Sequence, residues 1–81
     1  MIKVSVKVHQ ILKQFLSENK KGNTFDVILK DNPTVKDLIN IIFIFPDEYP
    51  NIILINGIMG NEKHILKRGD KISFYSRISG G

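Results

Sequence analysis

Leu66-Lys67-Arg68-Gly69-Asp70-Lys71-Ile72-Ser73-Phe74-Tyr75-Ser76-Arg77-Ile78-Ser79-Gly80-Gly81 is the stretch on which the reading of this sequence turns. Gly69-Asp70 marks a tight turn, because glycine reaches positive φ without a Cβ clash. From Lys71 onward apolar and polar residues alternate. Ile72 and Phe74 fall on one side, and Ser73, Tyr75 and Arg77 fall on the other. That period of two predicts a strand with one face in a core and the other in water. Behind it, Ile78-Ser79 forms an extended leader and Gly80-Gly81 a thin, bendable tip. The remainder of the chain must therefore supply a sheet to hold the strand and leave its end free.

Upstream, Ile2, Val4, Val6 and Val8 alternate with Lys3, Ser5, Lys7 and His9, a half-buried first strand. Ile11, Leu12, Phe15 and Leu16 suit a short helical turn lying on the core, and residues 17–23 read as a polar loop. A second strand spans Thr24–Lys30 with Phe25, Val27 and Leu29 inward, and Asp31-Asn32-Pro33 breaks it. Thr34 is placed to cap a helix, with Asp37 at the N3 position completing a capping box. Val35, Leu38, Ile39 and Ile42 form its apolar stripe. Ile41, Ile44 and Phe45 add a second flank, so the helix is expected to be wrapped by sheet and loop and to stop at Pro46 and Pro50. Ile52–Ile55 is nearly continuous in apolar residues, as a central strand covered on both faces would be. Asn56-Gly57 is a hairpin signal. Residues 58–64 make a short return or edge segment, and Ile65 and Leu66 pack two aliphatics before the Gly69 turn. The order is strand, strand, helix, strand, short strand, strand, which predicts an α+β domain.

With 81 residues there is room for one core only, and 42% hydrophobic and 25% charged residues are globular proportions. The absence of cysteine excludes disulfides, thiolate metal sites and a catalytic thiol on this chain. The longest apolar run, Ile41–Phe45, is far short of a membrane span, and the start of the chain lacks a secretory h-region. A cytoplasmic location is expected. The formal net charge is +4, carried by scattered lysines and only two arginines, Arg68 and Arg77. Such a surface is compatible with an acidic partner or with nucleic acid, but it shows no arginine cluster and no aromatic stacking platform. His9 and His64 lie far apart in sequence and read as surface residues at strand or turn ends, so no metal site is expected. Gly57-Ile58-Met59-Gly60 lacks the spacing and the Lys-Ser/Thr of a phosphate-binding loop.

A terminal diglycine on a folded body presents the α-carboxylate of Gly81 on a slender lead. Joined to a phosphate, a carboxylate becomes an acyl donor open to sulfur or nitrogen nucleophiles. Several short motifs are arranged around that tip. They are Pro33-Thr34-Val35 at the helix start, Ile55-Asn56-Gly57 after the middle strand, the Leu66-to-Phe74 run containing Gly69-Asp70, and the closing Ile78-Ser79-Gly80-Gly81. In this order and spacing, over essentially the whole chain, the sequence resembles the ubiquitin-like β-grasp sulfur carriers. That family includes the small subunit of molybdopterin synthase and its thiamine-pathway counterpart.

The resemblance implies a mixed four- to five-stranded sheet packed on one main helix, with residues 1–78 as the domain and 79–81 as a flexible tail. It implies a carrier, not a catalyst, that binds no cofactor itself. A ubiquitin-activating-type adenylyltransferase would spend ATP to adenylate Gly81, and sulfur would then replace AMP to leave a thiocarboxylate. The large subunit of molybdopterin synthase, or a thiazole synthase, would receive that sulfur. Gly80, Ser79 and Ile78 would be gripped by the partner, and Tyr75 and Met59 would meet it on the outer sheet face, beside a first strand made polar by Lys3 and Lys7. Arg77 reads either as an anchor of the tail in an acidic groove or as a solvated edge residue. Three alternatives stand beside molybdopterin synthesis: sulfur delivery for thiamine, attachment to target lysines as a protein modifier, and a β-grasp RNA-binding module.

Overall fold

A computed structural model describes residues 1–17, 24–46, 50 and 52–76. Among these residues five strands make one mixed sheet: β1 (Ile2–Val8), β2 (Thr24–Leu29), β3 (Ile52–Ile55), β4 (Ile58–Met59) and β5 (Lys71–Tyr75). Their spatial order is β2-β1-β5-β3-β4. β1 and β5 run parallel at the centre, while β1–β2, β3–β5 and β3–β4 are antiparallel. One helix, α1 (Val35–Ile42), lies on the inner face, and a 3-10 helix (Gln10–Phe15) follows β1. This is the ubiquitin-like β-grasp architecture that the sequence motifs imply.

The alternation in β1 and β5 is realised in the burial. Val4, Val6, Val8, Ile72 and Phe74 are all at or near zero exposure and meet Leu38, Ile39 and Leu12 in one core. Phe43 closes that core with an edge-to-face contact to Phe74, ring centroids 5.5 Å apart. The capping box is present as read: the Asp37 amide donates to Thr34 Oγ1 (3.2 Å) and the Thr34 amide to Asp37 Oδ2 (2.8 Å). The next two orphan donors of α1 are satisfied from the loop after β4. Val35 N–H donates to the His64 carbonyl and Lys36 N–H to the Glu62 carbonyl, both at 2.9 Å. The helix start is thereby tied to the loop that leads into β5.

Four expectations from sequence need correction. First, α1 ends at Ile42, before Pro46 can act, because Phe43 turns extended and bridges to Leu16. Ile44 N–H then donates to the Phe15 carbonyl (2.8 Å), so pairing with the 3-10 segment terminates the helix. Second, the flank of Ile41, Ile44 and Phe45 is not wrapped; Ile41 keeps 54% of its surface exposed. Third, β3 is not covered on both faces: it lies between β5 and β4, and Ile52 and Leu54 stay half-buried on the side away from α1. Fourth, of the pair Ile65-Leu66 only Leu66 is buried, Ile65 remaining exposed.

At the β2 margin, Asp31 accepts a hydrogen bond from the Met1 ammonium at 2.5 Å. That bond, the ammonium's charge and, more weakly, Arg68 hold the Asp31 carboxyl below its ordinary range, against a small opposing effect of burial.

Candidate functional site

The central position of β5 sets the geometry of the site. Val8 pairs with Phe74 in parallel register, His9 N–H donates to the Phe74 carbonyl (2.9 Å), and Ile52 pairs with Tyr75 from the other side. Clamped on both edges, β5 delivers Ser76 at the end of the sheet where β1 also ends. The expected tail residues Arg77, Ile78, Ser79, Gly80 and Gly81 lie outside the described residues.

Of the expected docking residues, the structure describes Met59 and Tyr75 and brings them to one face. Tyr75 pairs with Ile52, Ser73 with Leu54, and Leu54 with Met59, so all five side chains fall on the side of the sheet away from α1. Met59 is 72% exposed, while Tyr75, Ile52 and Leu54 are half-buried. The result is an apolar strip running from the β4 edge to Tyr75, the last residue of β5. Reasoning from sequence missed Ile52 and Leu54, because a continuous apolar run hides which side is covered. The signal available was the Asn56-Gly57 hairpin, whose register puts Leu54 and Met59 on one face.

Two turns hold the strip in shape. Asn56 and Gly57 take φ of 51° and 83°, the left-handed pair that a two-residue hairpin requires. The Asn56 amide group donates to Asp70 Oδ1 (3.0 Å), and its oxygen accepts from the Lys71 amide (2.9 Å). Asp70 Oδ2 in turn accepts from the Lys67 amide (2.8 Å). The β3–β4 turn is thus knotted to the turn that feeds β5. Beyond it, Gly60 sits so close to Ile55 that a Cβ there would lie 2.5 Å from Ile55 Cδ1. No residue other than glycine fits without moving Ile55.

His9 and His64 stand on different elements, His9 just after β1 and His64 in the loop before Leu66. His9 is more enclosed than a surface residue should be. Its ring lies 5.8 Å from that of Tyr75, and Nδ1 is buried with no hydrogen-bond partner among the described residues. The enclosure comes from the parallel β1–β5 pairing, which the sequence alone does not reveal. Among the described residues no group of three or more His, Cys, Asp or Glu could hold a metal ion, and no helix is long and apolar enough to cross a membrane.

Comparison with known proteins agrees with this fold. Residues 1–79 match the model of a family described as Mut7-C ubiquitin. SAMP1 of Haloferax volcanii superposes with a TM-score of 0.70 at 16% identity, covering 98% of this chain and 99% of that one. A Pyrococcus furiosus protein described as molybdopterin converting factor, subunit 1, gives 0.73 at 21% identity, covering 96% and 100%. A second structure of the Haloferax volcanii small archaeal modifier protein 1 gives 0.71 at 14% identity, again over 96% and 100%. No curated protein matches the sequence.

Proposed function

Because the chain belongs to the Mut7-C ubiquitin family, we propose that it is a ubiquitin-like carrier protein whose working group is the C-terminal carboxylate of Gly81. In this reading a separate adenylyltransferase of the ubiquitin-activating type binds the outer sheet face and takes residues 77–81 into its active site. A Gly81 carboxylate oxygen attacks the α-phosphorus of ATP and pyrophosphate leaves. A persulfide sulfur then attacks the acyl carbon and AMP departs. A thiol reductant cleaves the remaining S–S bond, leaving a thiocarboxylate. That sulfur passes to a second partner, and molybdopterin synthesis is the favoured destination.

The observation that carries the reading is the placement of β5. It is the innermost strand that ends at the tail, pinned by β1 on one edge and β3 on the other. An apolar strip of Ile52, Leu54, Met59 and Tyr75 leads to its last residue. A rigid root lowers the ordering cost of threading a thin tip into a channel. Two glycines give that tip the smallest cross-section a peptide can have. The P. furiosus protein of the same fold, described as a molybdopterin converting factor subunit, supports the choice of acceptor.

A second reading shares the activation step and differs in the acceptor. The H. volcanii protein of the same fold is named a modifier, which favours an amine of a target protein attacking the activated Gly81. The test is ATP–pyrophosphate exchange with the activating enzyme, followed by identification of the product. Wild type is expected to exchange. A chain lacking Gly81, or extended beyond it, is expected to fold and not to exchange. Exchange by the extended chain would defeat both readings. Sulfur found in a pterin, sulfur found in a thiazole, or Gly81 found on a lysine then distinguishes molybdopterin, thiamine and modifier roles.

A further inference from the structure

The outer sheet face has a second half that the apolar strip does not use. On β1, Lys3 and Lys7 flank Ser5, and Ser5 is the register partner of Lys71 on β5. Neighbouring strands lie about 4.8 Å apart and alternate residues about 7 Å apart along a strand, so the three lysines leave the sheet within about 14 Å of one another. All three are exposed. Among the described residues the ion pairs are Met1–Asp31 and Lys36–Glu62, and neither involves this trio. The single carboxylate on the described part of this face is Asp26, opposite Ser5 on β2. Lys67 and Arg68 add charge at its margin, where Gly69 N–H donates to the Lys3 carbonyl (3.0 Å).

Lys71 stands diagonal to both Lys3 and Lys7, and with Asp26 as the one facing carboxylate on the described part of the face the trio keeps a net positive charge turned to solvent. The basic half is continuous with the apolar half, because Lys71, Ser73 and Tyr75 are successive outward residues of the same strand. From this continuity we infer that Lys3, Lys7 and Lys71 form an electrostatic docking patch for a carboxylate-rich surface on the protein that takes up the tail. The patch selects and orients that partner, while Leu54, Met59 and Tyr75 supply the apolar contact. The inference rests on the carrier reading above and adds the charge character of the partner.

A protein fits better than a nucleic acid. No arginine, the residue suited to bidentate phosphate contact, stands among the three, and the rings near this face, His9 and Tyr75, are packed against each other at the end of β5 rather than spread among the lysines. An apolar strip beside the charges also has no counterpart in a phosphate backbone.

The experiment measures pyrophosphate exchange by the adenylyltransferase from the same organism, as a function of carrier and salt concentration. It uses the full chain and two triple variants, Lys3→Glu/Lys7→Glu/Lys71→Glu and Lys3→Arg/Lys7→Arg/Lys71→Arg. Charge reversal is expected to raise the KM for the carrier about tenfold or more at low salt, the range over which steering acts, with kcat unchanged. The wild-type KM is expected to rise with salt, and the arginine variant to behave as wild type. Circular dichroism melting establishes that each variant is folded, and a Lys→Gln triple replaces the reversed one if that fails to fold. A KM within about twofold of wild type for the folded reversed variant overturns the inference and leaves the carrier reading standing, since an effect that small is below the steering range. No exchange by wild type refutes the carrier reading and this partner with it. Salt-dependent binding of a labelled single-stranded RNA, lost on charge reversal while the exchange KM stays put, assigns the patch to nucleic acid instead.

Discussion

Replacing Asp70 with alanine should loosen the join between the two turns that shape the apolar strip. The carboxylate accepts from the Lys67 amide at 2.8 Å and from the Asn56 side chain at 3.0 Å. Asn56 in turn holds the Lys71 amide at 2.9 Å. Each such bond contributes about 0.5–1.5 kcal/mol net, and water reaches this half-exposed site, so the loss should be about 1–2 kcal/mol. For a domain of this size each kcal/mol moves Tm by about 4–8 °C, giving a fall of about 4–16 °C. Thermal melting followed by circular dichroism reads it directly. Asn56→Gly is the informative companion, because glycine keeps the positive φ at no steric cost while removing the amide side chain. If the two residues act through each other, the double variant should fall short of the sum of the singles by about 1 kcal/mol. Exchange of the Lys67 and Lys71 amide protons should quicken in both singles. A Tm for Asp70→Ala within about 2 °C of wild type, under half a kcal/mol on this scale, would refute the reasoning.

Gly60→Ala must push Ile55 aside, since the new Cβ would stand 2.5 Å from Cδ1 and 3.2 Å from Cγ1 of a buried side chain. Denaturant unfolding should register a loss of about 1–3 kcal/mol, as for other overpacked sites. Thr34→Ala removes the acceptor for the Asp37 amide and should cost about 1 kcal/mol, whereas Thr34→Ser should be close to neutral. Asp31 has a lowered folded-state pKa, so its contribution is present above the ordinary carboxyl range and is lost as pH falls through the lowered value. Melts of wild type and Asp31→Asn should therefore differ slightly at neutral pH and converge in acid. A gap that widened in acid would give the wrong sign.

The sequence made local features readable and left relational ones hidden. Alternation in Ile2–Val8 and Lys71–Tyr75 needs only the period of two, and the buried faces came out as read. Thr34 and Asp37 cap α1 through contacts three residues apart, and Asn56-Gly57 turns through its own dihedrals. Partnership between distant segments was different. That Phe43 leaves the helix to meet Leu16 depends on where the 3-10 segment lies. An isoleucine-rich run such as Ile52–Ile55 carries no polar residue to mark its open side, so Ile52 and Leu54 could not be assigned to the outer face. For the same reason, the closeness of Lys71 to Lys3 and Lys7 emerges only from the parallel register of β1 and β5.

The proposed carrier role requires that Gly81 be the last residue in the cell and that its carboxylate be chemically loaded. Intact-mass measurement of the protein isolated from its own organism tests both at once. The account predicts a chain ending at Gly81, with a fraction heavier by the difference between one sulfur and one oxygen and the excess confined to the C-terminal peptide. A chain that continues past Gly81 without processing would contradict it.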